Sequence, residues 1–411
     1  MSILTNSNGG NHQIVVRPAD SEGNIIGQAC TYRLKEENIA PVVDELREIL
    51  RERVAQATEI RRSKRDLEVD LRQMAPLGHE LWHGTVAQCL HEVYLELVKD
   101  EKVVIQVSRP TTADYTFPWS LTYDIHLSEN SRDWKLCPLV DEWDDRDEQS
   151  SLVAPGTRHC PKVPNGRHEP DTLCPFGFWG YQYDIEQLSS TDTPTKEIPV
   201  PETEIFDFIT ALTQDRKILK ELTGHIRKLK GVIQQEFPSV NFREGKDLAS
   251  IKLLLGQDSP FVYFLCHGER DRPDDPDTYL GIGNREKIRA QDFQDWVLEW
   301  LINEDRVVWN QTRPLIFINA CHSLEINTRS QVTYLDAFIT TGHAAGVIGT
   351  EVKVRSTMAM DFSLEFCKLF FKGKTVSQTL HQIRTSYLAS GNLFGLIYTP
   401  YCRSDLVIVM Q

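Results

Sequence analysis

The chain has 411 residues, of which 40% are hydrophobic and 25% charged, and a formal net charge of −14. That balance is ordinary for a globular protein of one large or two ordinary domains, and the negative charge argues against a nucleic-acid role resting on a broad basic surface. No apolar run approaches the roughly 18 residues of a membrane span. The first ten residues carry neither the basic start nor the apolar core of a signal peptide. Nine cysteines, an odd number without close regular spacing, fit a reducing cytoplasm in which a functional cysteine serves as nucleophile or metal ligand.

In chain order, residues 1–11 are rich in Asn, Ser and Gly and read as a disordered leader. A hairpin pattern follows over 12–16 and 25–34, then helical spacing over 36–73 and 78–99, and a strand over 102–107. His79, His83 and His91 share the second of these helices, with no further ligand at a matching position. Residues 127–176 break the pattern with an acidic cluster, several prolines and Cys137, Cys160 and Cys174. So long a loop needs something to order it. Three thiols with His159 or His168 match the donor set of zinc, but no Cys-x-x-Cys pair preorganises two of them. Cys137, Cys160, His168 and Cys174 therefore stand as weak zinc candidates, and no cofactor is assigned.

A strand is expected to run to about Gln187, and residues 188–203, with three prolines among Ser, Thr and Asp, read as a linker. This divides the chain into 12–195 and 196–411. In the second part, strands over 205–212, 261–267, 314–320, 345–350, 396–399 and 406–410 alternate with helices over 215–236, 246–255, 290–302, 334–341, 356–371 and 375–389. A polar loop is expected over 269–284. Strands alternating with helices predict a mostly parallel sheet covered on both faces, an α/β/α sandwich.

Two apolar runs in this half end in chemistry-bearing residues. Phe261-Val262-Tyr263-Phe264-Leu265-Cys266 stops at His267-Gly268, and Leu315-Ile316-Phe317-Ile318-Asn319-Ala320 stops at Cys321-His322-Ser323. In open α/β sheets, sites collect at the carboxyl ends of parallel strands. A histidine there can take the thiol proton and later protonate a leaving amine, which makes His267 a base and Cys321 a nucleophile. The backbone N–H groups of Gly268 and Cys321 can supply an oxyanion hole, glycine allowing close approach of the substrate. Cys266 belongs to the apolar run and is expected in the core. Asn319, a polar residue just ahead of the cysteine, is expected where the strand opens into a cleft.

The segments Leu-Cys-His-Gly and Ile-Asn-Ala-Cys-His-Ser together resemble the CHAT family, a branch of the caspase-like cysteine peptidases that includes separases, metacaspases and gingipains. The spacing of His267 and Cys321, 54 residues, is close to the caspase interval of about 50. The segments Phe117–Asp124, Cys174–Gln187 and Phe394–Ile408 are similar to that family's Pro-Trp-x-Leu turn, Phe-Trp-Gly strand and closing strands. The resemblance spans about residues 12–410. It implies a caspase-like fold with a catalytically silent half at 12–195 and an active half at 196–411. His267 then matches the base and Cys321 the nucleophile of an endopeptidase acting on a protein substrate. It also implies an effector of bacterial defence or cell death under a sensor or regulatory partner, with no direct role for nucleic acid or membrane. Two departures stand out: Leu324-Glu325 replaces a frequent glycine, and Asn319 stands where metacaspases often carry Asp, so a basic-residue preference does not transfer. The alternative is a caspase-fold signalling or scaffold module without activity.

Overall fold

The computed structural model describes residues 2–8, 11–17, 30–87, 104–109, 117–128, 133–163, 168–189, 194–200, 207–213, 219–270, 278–283, 286–320 and 334–411. The chain forms two compact units. One comprises Met1–Ala113, Phe117–Gln187 and Leu380–Ile397, the other Asp114–Thr116, Leu188–Thr379 and Tyr398–Gln411.

The first unit holds strands β1 (Ser2–Asn8), β2 (Asn11–Arg17), β3 (Cys30–Lys35), β4 (Val104–Arg109), β5 (Lys135–Leu136), β6 (Thr172–Leu173) and β7 (Asp184–Ser189). Five of them make one sheet in the order β3-β2-β1-β4-β7. The supposed leader is therefore strand β1, antiparallel to β2 and parallel to β4. Its Asn and Ser residues are poor strand formers, and the pairing to distant β4 is what local composition does not reveal. Helices α1 (Glu36–Ile49) and α2 (Lys64–Trp82) pack together, with the buried Val43, Leu46, Leu67, Leu71 and Met74 at helical spacing. Ser63 caps α2, its side chain accepting from the Asp66 N–H.

Two aromatic segments knot this unit. Phe117–Asp124 contains a single tight turn at Trp119–Leu121, and Cys174–Gln187 contains a one-turn helix at Trp179–Gln182 before β7, so in the Phe-Trp-Gly stretch Phe178 is extended while Trp179 and Gly180 are helical. Trp119 stacks on Trp179 with ring centroids 6.3 Å apart, and Tyr123 meets Phe178 edge-on at 5.0 Å. The buried Asp124 carboxylate accepts from Trp179 Nε1–H (3.2 Å), Gln182 Nε2–H (3.0 Å) and Tyr183 Oη–H (3.1 Å). Burial lifts its pKa to about 6 against the pull of those three donors.

The second unit holds β8 (Glu197–Val200), β9 (Asp207–Leu212), β10 (Asn241–Gly245), β11 (Phe261–Arg270), β12 (Thr278–Ile282), β13 (Glu286–Ile288), β14 (Leu315–Ala320), β15 (Gly346–Thr350), β16 (Tyr398–Tyr401) and β17 (Val407–Met410). Its helices are α3 (Leu219–Glu236), α4 (Leu248–Leu255), α5 (Ala290–Glu304), a helical turn at Asp336–Thr341, α6 (Ser356–Phe370) and α7 (Val376–Ala389), along which the chain re-enters the first unit. The main sheet runs β10-β9-β11-β14-β15-β16, parallel except for β16.

Alternation along β11 and β14 explains the layers. Val262, Phe264, Cys266, Ile316 and Ile318 pack with residues of α4 and α5, among them Leu254, Phe293 and Trp300. Phe261, Tyr263 and Phe317 face Phe362, Phe366 and Phe370 of α6. This is the expected α/β/α sandwich, and Cys266 is core.

Three local readings change. The linker contains β8, paired in parallel with β17; Ile198 and Val200 are buried by that partner some 200 residues away in sequence. Strand β10 is polar and at an edge, without the apolar signature of a buried strand. Within 269–284, the described residues are strand: β11 continues to Arg270, and β12 pairs antiparallel with both it and β13. Among the described residues, no helix is long and apolar enough to cross a membrane.

Candidate active site

The strand order sets where a site can form. From β9 the chain steps outward to β10, then returns to lay β11 on the other side of β9. The order therefore reverses between β9 and β11, and in such sheets the crevice for ligands opens outside the carboxyl ends of the strands at that switch point. Leu212 and Leu265 are paired near those ends, and the Thr213 N–H donates to Leu265 O at 3.0 Å.

His267 lies one residue past the point where β11 leaves the parallel sheet. Phe261–Cys266 pairs with β14, whereas His267–Arg270 pairs with β12, His267 opposite Gly281 and Gly268 opposite Leu280. Gly268 is buried. The far end of β12 folds back over the strand ends, where the Gly283 N–H donates to Leu212 O at 3.0 Å. Gly283 has φ +50, and a Cβ there would stand 2.6 Å from Lys246 O, so the closure requires glycine.

The register of β11 against β14 brings the two motifs together. Leu265 lies opposite Asn319 and Cys266 opposite Ala320. These are the last residues before His267 and before Cys321. Cys321 itself, with His322 and Ser323, falls outside the described residues, as does His91.

Asn319 does not open into a cleft. It is fully buried, and its side chain is the hub of a polar network. Oδ1 accepts from Tyr398 Oη–H at 2.8 Å, while Nδ2 donates to Ala359 O at 2.6 Å and to Tyr263 Oη at 3.1 Å. Tyr263 Oη in turn lies 2.8 Å from Ser363 Oγ and 3.1 Å from His225 Nε2. Burial lowers the His225 pKa to about 4, so the ring is neutral at pH 7. The network ties the end of β14 to α6, β11, β16 and α3, two residues before Cys321. The sequence offered one signal, a polar residue inside an otherwise apolar strand, which in a core must be hydrogen-bonded.

In the first unit, the four weak zinc candidates converge. Cys137 Sγ lies 3.6 Å from Cys160 Sγ and 3.5 Å from His168 Nε2. One donor atom each from Cys137, Cys160, His168 and Cys174 lies within 4.8 Å of all the others. His159 is exposed and outside the group. A second group, His79, His83 and His126, is similarly close, but both His79 nitrogens are taken. Nδ1–H donates to Tyr123 O and Nε2 accepts from the Leu127 N–H, each at 3.3 Å.

No protein-family model matches the chain. It is 25% identical over 377 residues to a protein of Vitiosangium sp. (strain GDMCC 1.1324) named a probable protease, a match that covers 84% of this chain and 44% of that one. The chain thus spans less than half the length of this curated relative. Among solved structures, it is similar to the Arg-specific cysteine proteinase gingipain R, RgpB of Porphyromonas gingivalis, at 10% identity and TM-score 0.41, covering 90% of this chain and 75% of that one. A second similar structure is the Saccharomyces cerevisiae separase–securin complex, at 10% identity and TM-score 0.44, covering 99% of this chain and 30% of that one.

Proposed function

We propose that the chain is a caspase-like cysteine endopeptidase of the CHAT kind in which His267 is the base and Cys321 the nucleophile. The observation that carries this reading is the register placing Cys266 opposite Ala320 at the carboxyl ends of adjacent parallel strands, beside the switch point of the sheet. The name of the Vitiosangium relative supports it. In this mechanism His267 takes the thiol proton, and the Cys321 thiolate attacks the scissile carbonyl. The N–H groups of Gly268 and Cys321 hold the oxyanion. His267 then protonates the leaving amine, and water, deprotonated by the same ring, hydrolyses the thioester.

The substrate in this reading is a protein, and a separate sensor or regulator governs the site in a cytoplasmic defence or cell-death pathway. In this reading the first unit, with β1 and Leu380–Ile397 added to the expected 12–195, is the silent half, and the second unit, with β11 and β14, is the catalytic half. The test is cleavage of a peptide library by the full chain. Cys321→Ala and His267→Ala are expected to abolish cleavage while retaining the wild-type melting transition. Full cleavage by either variant contradicts the assignment.

A further inference from the structure

The loop that departs from regular structure in the first unit contains a closed set of soft donors. We propose that Cys137, Cys160, His168 and Cys174 form a structural zinc site. Zinc with Zn–S of about 2.3 Å and Zn–N of about 2.0 Å sets tetrahedral edges near ~3.8 Å between sulfurs and ~3.5 Å between sulfur and nitrogen. The Cys137–Cys160 and Cys137–His168 separations, 3.6 and 3.5 Å, lie on those edges. A disulfide would need about 2.05 Å between sulfurs. The three thiols are buried, at 0%, 4% and 0% exposure for Cys137, Cys160 and Cys174. Three sulfurs and one imidazole are the donors of structural zinc; calcium and magnesium take oxygen. Four protein ligands leave no open position for substrate or water.

The backbone supplies the preorganisation that a Cys-x-x-Cys pair otherwise gives. Strands β5 and β6 are parallel with Leu136 opposite Leu173, so Cys137 and Cys174 emerge side by side from a two-rung ladder. The Cys137 N–H donates to Leu173 O at 2.9 Å, and Cys137 O accepts from the N–H groups of Val140 and Asp141 at the start of a one-turn helix. Cys160 starts a turn closed by the Val163 N–H at 3.1 Å. Between Asp133 and Cys174, the described regular structure is two two-residue strands and that single helical turn. So little backbone pairing needs a staple, and the metal supplies it.

The test is metal analysis of the full chain purified without added metal. About one zinc per chain is expected, released by a thiol-blocking mercurial and followed with a metallochromic dye. Cys160→Ala and His168→Ala should each lower the zinc content severalfold, while Cys367→Ala, a buried thiol outside the group, keeps it. If the ligand variants fail to fold, cobalt substitution of the wild-type protein decides. Intense tetrahedral d–d bands with thiolate charge-transfer absorption support the site, and weak octahedral bands overturn it. Zinc well below one per chain, a Cys137–Cys160 disulfide by intact mass, or iron with the absorbance of an iron–sulfur cluster would each overturn it.

Discussion

Replacing Asn319 by Ala tests whether the buried network holds the end of β14 in place. The substitution removes the acceptor of Tyr398 Oη–H and the donors to Ala359 O and Tyr263 Oη. The Ala359 carbonyl and the Tyr398 hydroxyl are left facing a small void in a fully buried site. Each hydrogen bond lost by a buried polar group costs about 1–3 kcal/mol, so a total of about 3 kcal/mol is expected for the bonds removed, after partial relaxation. For a unit of this size, that lowers the melting temperature by about 6–12 °C. Because Asn319 stands two residues before Cys321, the strand end loosens as well. A misplacement of about 1 Å near reacting groups costs up to about 100-fold, so kcat/KM should fall at least about tenfold, mostly in kcat. Urea unfolding of Asn319→Ala, Tyr398→Phe and the double variant isolates the shared bond, with a coupling of about 0.5–3 kcal/mol expected. A loss below about 1 kcal/mol for Asn319→Ala, or strict additivity in the cycle, refutes the network.

Two further perturbations follow from burial. The folded pKa of His225 is depressed to about 4 from 6.5, so the unfolded chain binds the extra proton between those values. Stability is complete above about pH 6.5 and is lost as pH falls toward 4, with about 2 kcal/mol gone by pH 5. His225→Gln should flatten the pH dependence of urea unfolding by about that amount, and an unchanged slope between pH 7 and 5 contradicts the assignment. At Gly177, a Cβ would stand 2.2 Å from the Tyr123 ring, whereas at Gly231 in α3 nothing lies within 4 Å. Gly177→Ala should destabilise by about 1–3 kcal/mol or more, and Gly231→Ala should stabilise by about 0.5–1 kcal/mol. Melting temperatures that move together in both variants would show that the close approach at Tyr123 is not what the glycine serves.

The second half was legible where apolar runs are long and uninterrupted, as at Phe261–Cys266 and Leu315–Ala320, because strands buried on both faces declare themselves by composition. Edge and hairpin strands were not. Asn241–Gly245 carries charges on an exposed edge, and Thr278–Ile282 buries Tyr279, Leu280 and Ile282 within a polar stretch. Pairings between distant segments, β1 with β4 and β8 with β17, leave no local mark. The same reason left the four zinc candidates without a visible pairing in the sequence. Their two nearest backbone supports are joined by a ladder between residues 136 and 173, not by adjacency in sequence. The polarity of Asn319 stands out in the sequence, but only the partners on α6 and β16 turn a polar residue at a strand end into a hub.

In the proposed mechanism His267 activates Cys321. This activation is tested most directly by the pH dependence of Cys321 alkylation, read by peptide mass spectrometry on the full chain with limiting iodoacetamide. A thiol paired with an imidazole reacts as thiolate well below the ordinary cysteine pKa of about 8.5. An inflection near or below pH 7 is expected for Cys321, moving to about 8.5 in His267→Ala. An inflection near 8.5 in both proteins would contradict that activation.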